Sequence, residues 1–211
     1  MRLTVLGATG GTGRELITQG LAAGHELTAV VRDPARLPVR DERLDVVRAD
    51  VFDAASLEPV VKDADAVLSA LGHRSRRDTW VCAPAARAAV AAMRATDRRR
   101  LLVISAAPVS RDDPGDRPLY AMTVRPVLRR FLARAYADMA AMEEHLRESG
   151  LDWTILRPPR LTDKPATGRA RTALNQNVPG GYLLSRADLA AEMLRRVGDD
   201  RSVRAAIGIG N

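Results

Sequence analysis

Aromatic side chains make up only 3% of the 211 positions, so aliphatic and alanine packing has to carry the core. The shortage also argues against a platform for single-stranded nucleic acid, which needs rings for bases to stack on. There is one cysteine, Cys82, so no disulfide framework can form within the chain. That fits a reducing compartment, and a cytoplasmic location is expected. The three histidines, His25, His73 and His145, are scattered and no Cys/His cluster accompanies them, so no metal site is expected. No apolar run is long enough for a membrane span, and the strand-like run Leu3–Leu6 begins at once, with no signal-peptide pattern before it. Neither an internal repeat nor a low-complexity linker is visible.

Apolar residues reach 46%, enough for a single globular domain with a sizeable core. Basic residues outnumber acidic ones, 33 to 26, and nearly all are arginine; Lys62 and Lys164 are the only lysines. The surplus reads either as a surface bias or as an electropositive cleft for a phosphate-bearing ligand. The basic clusters Arg74–Arg77, Arg98–Arg100 and Arg129–Arg130 are dispersed over elements of different kinds, and no nucleic-acid motif goes with them. Nucleic acid and membrane are therefore not expected partners, and the expected state is monomer or homodimer.

Short apolar runs alternate with helical patterns. Strands are expected at Leu3–Leu6, Leu27–Val31, Asp45–Arg48, Ala66–Ala70, Leu101–Ser105, Trp153–Leu156 and Arg204–Ile207. Several are almost continuously apolar, as parallel strands covered on both faces are. Helices are expected at Thr12–Ala22, Ser56–Val61, Thr79–Ala95, Val124–Ser149 and Arg186–Val197. This alternation predicts an α/β fold, a Rossmann-like doubly wound and mostly parallel sheet in a single domain. Gly24 suits the C-cap of the first helix. Ser185 suits the N-cap of the last, with Asp188 three residues on in a near capping box. Two segments read as long irregular loops on the carboxyl side of the sheet, around 107–125 and 158–182. Doubly wound sheets bind ligands on that edge, so both are candidates to form a substrate pocket.

The first strand runs into Gly7-Ala8-Thr9-Gly10-Gly11-Thr12-Gly13, a G-x-x-G-x-x-G turn with an extra glycine that opens the first helix. Strand before and helix after are the context that makes such a turn informative. Gly7 permits the sharp turn, Gly10 lets backbone approach a diphosphate, and Gly13 lets helix and strand pack closely. The helix N-terminus offers free N–H groups and the positive end of its dipole. The Lys-Ser/Thr pair of a P-loop is missing. About twenty residues on, where NAD enzymes keep an acid for the ribose hydroxyls, stands Arg32. Arginine there suits a 2′-phosphate and predicts NADP(H), with Arg36 and Thr12 assisting. Asp33, the next residue, is the alternative ligand for the hydroxyls.

This series resembles the atypical short-chain dehydrogenase/reductases with NAD(P)H-binding domains, and within them the biliverdin-IXβ reductase/flavin reductase group and its NmrA-like relatives. The likeness runs through Gly7–Gly13, Val31-Arg32-Asp33, Arg36-Leu37-Pro38, Asp50-Val51, Asp65-Ala66-Val67, Leu71-Gly72, Ser105-Ala106, Arg147–Leu151, Pro158-Pro159, Asp163 and Thr167-Gly168. The resemblance implies that Asp50 and Val51 flank the adenine and that Ala70, Leu71 and Gly72 line the middle of the cofactor. It places Ser105 near the nicotinamide and gives Pro158 and Pro159 backbone contacts to that ring. After the two prolines the reductase has a histidine; this chain has Arg160, which suits an anion but does not exchange a proton.

The Tyr-x-x-x-Lys pair of classical short-chain enzymes cannot form. Glu58 and Arg160 stand four before the two lysines, and Val124, Ala140 and Arg186 stand four after Tyr120, Tyr136 and Tyr182. The candidates left for chemistry are Ser105 and, as a substrate anchor, Arg160. Tyr120 is a possible substrate contact; His73 reads more readily as a loop residue than as a catalyst, and Tyr136 and Met139 as core. The expected reaction is hydride transfer from NADPH to a small conjugated acceptor, anionic or neutral, such as a flavin, quinone, tetrapyrrole or carbonyl compound, with any proton drawn from water. The competing expectation is a non-catalytic NADP-binding redox sensor of the NmrA type. An isomerase or dehydratase is disfavoured by the missing Tyr-x-x-x-Lys pair and by the lack of a large substrate domain.

Overall fold

The computed structural model describes residues 1–73, 80–110 and 122–211. Its elements run β1 (Arg2–Leu6), α1 (Gly11–Ala22), β2 (Glu26–Val31), β3 (Leu44–Arg48), α2 (Ala54–Val61), β4 (Ala66–Ser69), α3 (Cys82–Ala95), β5 (Arg100–Ile104), α4 (Val124–Phe131), α5 (Ala133–Glu148), β6 (Asp152–Arg157), β7 (Arg160–Thr162), β8 (Arg171–Leu174), β9 (Leu183–Ser185), α6 (Arg186–Arg196) and β10 (Ala205–Gly210). Eight strands form one sheet in the order β3-β2-β1-β4-β5-β6-β10-β8, and β7 pairs with β9 in a second, two-stranded sheet. Every pairing in the large sheet is parallel except that of β8 with β10. This is a Rossmann-like α/β domain.

Alternation along the strands sorts side chains into two apolar layers. Leu101, Val103 and Ile155 face α2, α3 and α5. Leu3, Val5, Leu102 and Leu156 face α1 and α6. Alanine does much of the packing on the first face, where Ala83, Ala85, Ala86, Ala88, Ala89 and Ala92 of α3 are all buried. Small side chains let α3 lie close to the sheet, which is how a chain poor in aromatics closes its core. The first helix ends on Gly24 (φ +81°), with the N–H of Gly24 on the Leu21 carbonyl and that of His25 on the Gly20 carbonyl, a Schellman cap.

Three expectations need correction. The span Val124–Ser149 holds two helices, because Leu132 leaves helical geometry (φ −114°, ψ 22°). One straight helix over that span would be roughly 39 Å long at 1.5 Å per residue, well beyond the strands beneath it. The break instead brings α4 against the turn at Ala107–Val109 on the carboxyl edge. Secondly, the segment 158–182 is not irregular throughout. It contributes β7, and β8 as the antiparallel edge strand; strands of three or four residues are too short to show a period. Lastly, Ser185 does cap α6 by accepting the Asp188 N–H at 2.9 Å, but Asp188 does not complete a capping box. Its carboxylate takes the N–H groups of Thr167 and Gly168 and the Thr167 hydroxyl, pinning the loop between β7 and β8. Burial pushes this carboxyl up, but those donors hold it below the ordinary aspartate range. Much of the other loop, residues 111–121 with Tyr120, lies outside the described residues, as do Arg74–Arg77.

Candidate functional site

In the order of the sheet, the direction in which successive strands are added reverses between β1 and β4: β2 and β3 lie to one side of β1, β4 and its successors to the other. A crevice opens at such a switch point, at the carboxyl ends of the strands. The segments that follow β1 and β4 meet there. Gly7 has φ +81°, and a Cβ on it would lie 2.9 Å from the Ala70 carbonyl oxygen, so a side chain is barred both by backbone conformation and by its neighbour. A Cβ on Gly13 would collide with the Gly7 carbonyl. Thus Gly13 lets α1 start directly on the end of β1, while the Ala70-Leu71-Gly72 segment passes beside the turn. Gly10 stands as the N-cap in extended conformation and no side chain caps the helix. The N–H groups of Gly11, Thr12 and Gly13 therefore have no partner of their own within it.

Arg32 and Arg36 are exposed just past β2, and among the described residues no hydrogen bond or ion pair engages either guanidinium. Asp33 accepts the Ala35 N–H at 3.1 Å, capping the short turn that carries Arg36. Arg14 from α1 ties down the same turn through the Arg36 carbonyl at 3.3 Å. Asp50 accepts the Phe52 N–H at 3.0 Å, while Val51 is buried in the core. Pro158 is buried, and its carbonyl accepts the Ala107 N–H at 2.9 Å. Arg160 is exposed at the start of β7, and none of the described hydrogen bonds or ion pairs involves its guanidinium.

Ser105 lies just after β5 and is buried. Its hydroxyl donates to Glu143 Oε1 at 2.7 Å. The same carboxylate, on α5, takes Arg157 through Nε at 3.0 Å and a second nitrogen at 2.5 Å, and Arg147 at 2.8 Å. Burial raises the Glu143 pKa, but Arg157, Ser105 and Arg147 bring it net below the usual glutamate range, so the group is a fixed anion. The Ser105 proton is thereby committed to an acceptor inside the protein. No sequence signal showed this: a glutamate on a helical pattern reads as a solvated face.

A second buried acid, Asp138 on α5, accepts the N–H groups of Val81, Cys82 and Ala83 at 2.8–2.9 Å and so caps α3 from a different helix. His73, next to Gly72, brings Nε2 within 3.0 Å of Asp138 Oδ2, although neither ring nitrogen achieves hydrogen-bond geometry. His73, Cys82 and Asp138 each bring one ligand atom to within 4.8 Å of the others, a convergence that the spacing in sequence did not show. The donor set suits a metal poorly. Asp138 is spent on three amides, and burial, with Asp138 beside it, pushes the Cys82 thiol up to about 12.

The turn, the reversed strand order and the matched residues decide the family, because the model of the NAD(P)H-binding family fits residues 7–200. The chain belongs to that family. The protein YwnB of Bacillus subtilis is 25% identical over 199 residues, 92% of this chain and 91% of its own. A Streptomyces griseus (4-alkanoyl-5-oxo-2,5-dihydrofuran-3-yl)methyl phosphate reductase is 30% identical over 156 residues, 74% of this chain but only 46% of its own length. Among solved structures, a short-chain dehydrogenase/reductase from Veillonella parvula in complex with NADP superposes with a TM-score of 0.80 at 21% identity, covering 100% of this chain and 94% of the other. At that identity the likeness is one of fold. Family membership makes the chain an NAD(P)H-binding protein of oxidoreductase-like fold. Among the described residues no helix is long and apolar enough to cross a membrane.

Proposed function

We propose that this chain is an NADPH-dependent reductase that passes a hydride to a small conjugated acceptor such as a flavin, quinone, tetrapyrrole or carbonyl compound. The observation that carries the reading is the pair of guanidinium groups, Arg32 and Arg36, that no described residue engages, at the end of the strand next to the glycine turn. Two cations there match the 2′-phosphate that distinguishes NADP from NAD. In this reading the amides of the turn hold the diphosphate, Asp50 and Val51 flank the adenine, and Ala70, Leu71 and Gly72 line the middle of the cofactor. Pro158 and Pro159 orient the nicotinamide with Ser105 nearby. NADPH, when bound, supplies the hydride; the chain binds, orients and excludes water, and solvent supplies the proton. Arg160 anchors an anionic acceptor. The name of the Streptomyces relative supports this, since its substrate carries a phosphate.

A second reading, an NmrA-type sensor that binds NADP without turnover, is favoured by one observation: the Ser105 hydroxyl is held by Glu143. The two readings separate when NADPH absorbance is followed against a panel of flavins, quinones and conjugated carbonyls. A reductase oxidises NADPH with at least one of them. Tight binding with no oxidation across the panel overturns the reductase in favour of the sensor.

A further inference from the structure

Among the described residues, Gly11, the extra glycine of the turn, is the one of its four whose side-chain space is filled by another residue's side chain and not by backbone. A Cβ on Gly11 would lie 2.5 Å from Cδ and 2.8 Å from Nε of Arg186. Arg186 is the first residue of α6, 175 positions later, and its stem lies across the first residue of α1. Its guanidinium donates to Asp163 Oδ1 at 2.6 Å. The small sheet explains the juxtaposition: Thr162 and Ser185 are register partners, so Asp163 and Arg186 are the residues that leave the two strands side by side. Asp163 is 87% exposed and Arg186 30%, so the pair is open to water. An exposed ion pair of this kind is weakly held and exchanges readily.

We infer that Arg186 is a ligand for the dinucleotide's diphosphate, held at the turn by Asp163 until the cofactor arrives. This rests on the reading of the turn as the phosphate site. The first turn of α1 contains no acidic residue and no side-chain cap, so an anion there meets bare amides and, beside Gly11, a guanidinium. Diphosphate is a better partner than a solvated carboxylate, because it offers several charge-assisted acceptors where the helix dipole already favours negative charge. A side chain at position 11 would displace the Arg186 side chain from this place.

Calorimetric titration of NADPH and NADH into the wild-type protein, Arg186→Gln, Arg186→Lys and Asp163→Asn tests this, with thermal unfolding of each apo variant as a control. Arg186→Gln is expected to weaken both dinucleotides by the same factor, about ten-fold, because the diphosphate is common to both. Arg186→Lys should restore much of the loss, and Asp163→Asn should tighten both by freeing the guanidinium. Unchanged affinity in Arg186→Gln, or a loss confined to NADPH, overturns the inference. So does a weakening by Asp163→Asn as large as that by Arg186→Gln, since the pair would then be a structural latch. If the wild type itself binds neither dinucleotide, the phosphate-site reading falls first, and this inference with it.

Discussion

The two ends of the parallel strands treat charge in different ways. At the amino edge, Arg94, Arg99 and Arg100 are tied to protein partners. Arg100, at the start of β5, is substantially buried and donates to the carbonyls of Asp152, Arg196 and Val197 and to the hydroxyls of Thr154 and Ser202. Burial pulls its pKa down, opposed by Asp152, Asp199 and Asp200. Arg94 closes the Ser149 carbonyl and Arg99 pairs with Asp152. A groove of about 580 Å³ opens on that edge between α2 and β1–β3, lined by Arg2, Glu26, Arg43 and Asp63 among others, so both signs of charge meet there. At the carboxyl edge Arg157 is tied to Glu143, but three other arginines are left available. Arg32, Arg36 and Arg160 stand exposed without described partners, and the start of α1 is uncapped. The same residue type therefore serves as internal cement at both edges, through Arg100 and Arg157, and at the carboxyl edge also as available counter-charge. Net charge alone, +7, did not distinguish these uses.

The sharpest way to break this comparison is at Arg100. Arg100→Ala leaves three carbonyls and two hydroxyls short of a donor in a partly buried corner, and is expected to cost about 3 kcal/mol of stability. That is a loss of roughly a hundred-fold in the folded ratio. The affinity of the molecules that remain folded for NADPH should not change, because the site lies at the other end of the strands. Urea unfolding, followed by titration under native conditions, checks both halves. A stable variant, or one that binds NADPH weakly while folded, would mean that the two edges are not independent.

This difference in charge also marks where sequence reading stops. The strands at Leu101–Val103 and Ile155–Leu156 were legible because they are covered on both faces and therefore continuously apolar. The glycine turn was legible because strand, spacing and helix start are all local. What escaped is held by contacts far apart in the chain. Glu143 and Asp138 look like surface positions on α5, yet each is buried against donors from other elements. Arg98–Arg100 read as one basic cluster among several, but Arg100 is a half-buried clamp. The extra glycine at 11 was visible, whereas the arginine that occupies its space was not. The break at Leu132 has no proline or glycine to announce it; it follows from where the sheet ends.

A smaller effect, confined to the carboxyl edge, is expected at Arg32. A charge-assisted bond to the 2′-phosphate has no counterpart in NADH, so Arg32→Ala should remove about 1.5–3 kcal/mol of NADPH binding and leave NADH untouched. Calorimetry with both cofactors measures it. Equal wild-type affinities that do not respond to the substitution would show that Arg32 is only a solvated strand end. Together with Arg186→Gln, which should weaken both cofactors alike, the pair of variants separates recognition of the 2′-phosphate from recognition of the diphosphate.

The smallest expected effect is at Arg160, and it tests whether available charge on this edge also serves the acceptor. Arg160 leaves Pro158-Pro159 at the start of β7, exposed, on the segment assigned to the nicotinamide end of the cofactor. Its guanidinium offers several N–H donors and a positive charge, so its part is electrostatic anchoring. Arg160→Ala should raise KM for an anionic acceptor by roughly ten-fold, about 1.4 kcal/mol, with NADPH affinity almost unchanged. An uncharged acceptor should show little change, because it has nothing for the guanidinium to hold. Rising salt should weaken the anionic acceptor in the wild type and much less in the variant, since an exposed pair is screened by ions. Steady-state kinetics with a charged and an uncharged acceptor at two ionic strengths gives all four comparisons. An equal rise in KM for both acceptors would reassign Arg160 to shaping the loop. A loss falling mainly on NADPH would reassign it to the cofactor, leaving the carboxyl edge with charge for one ligand instead of two.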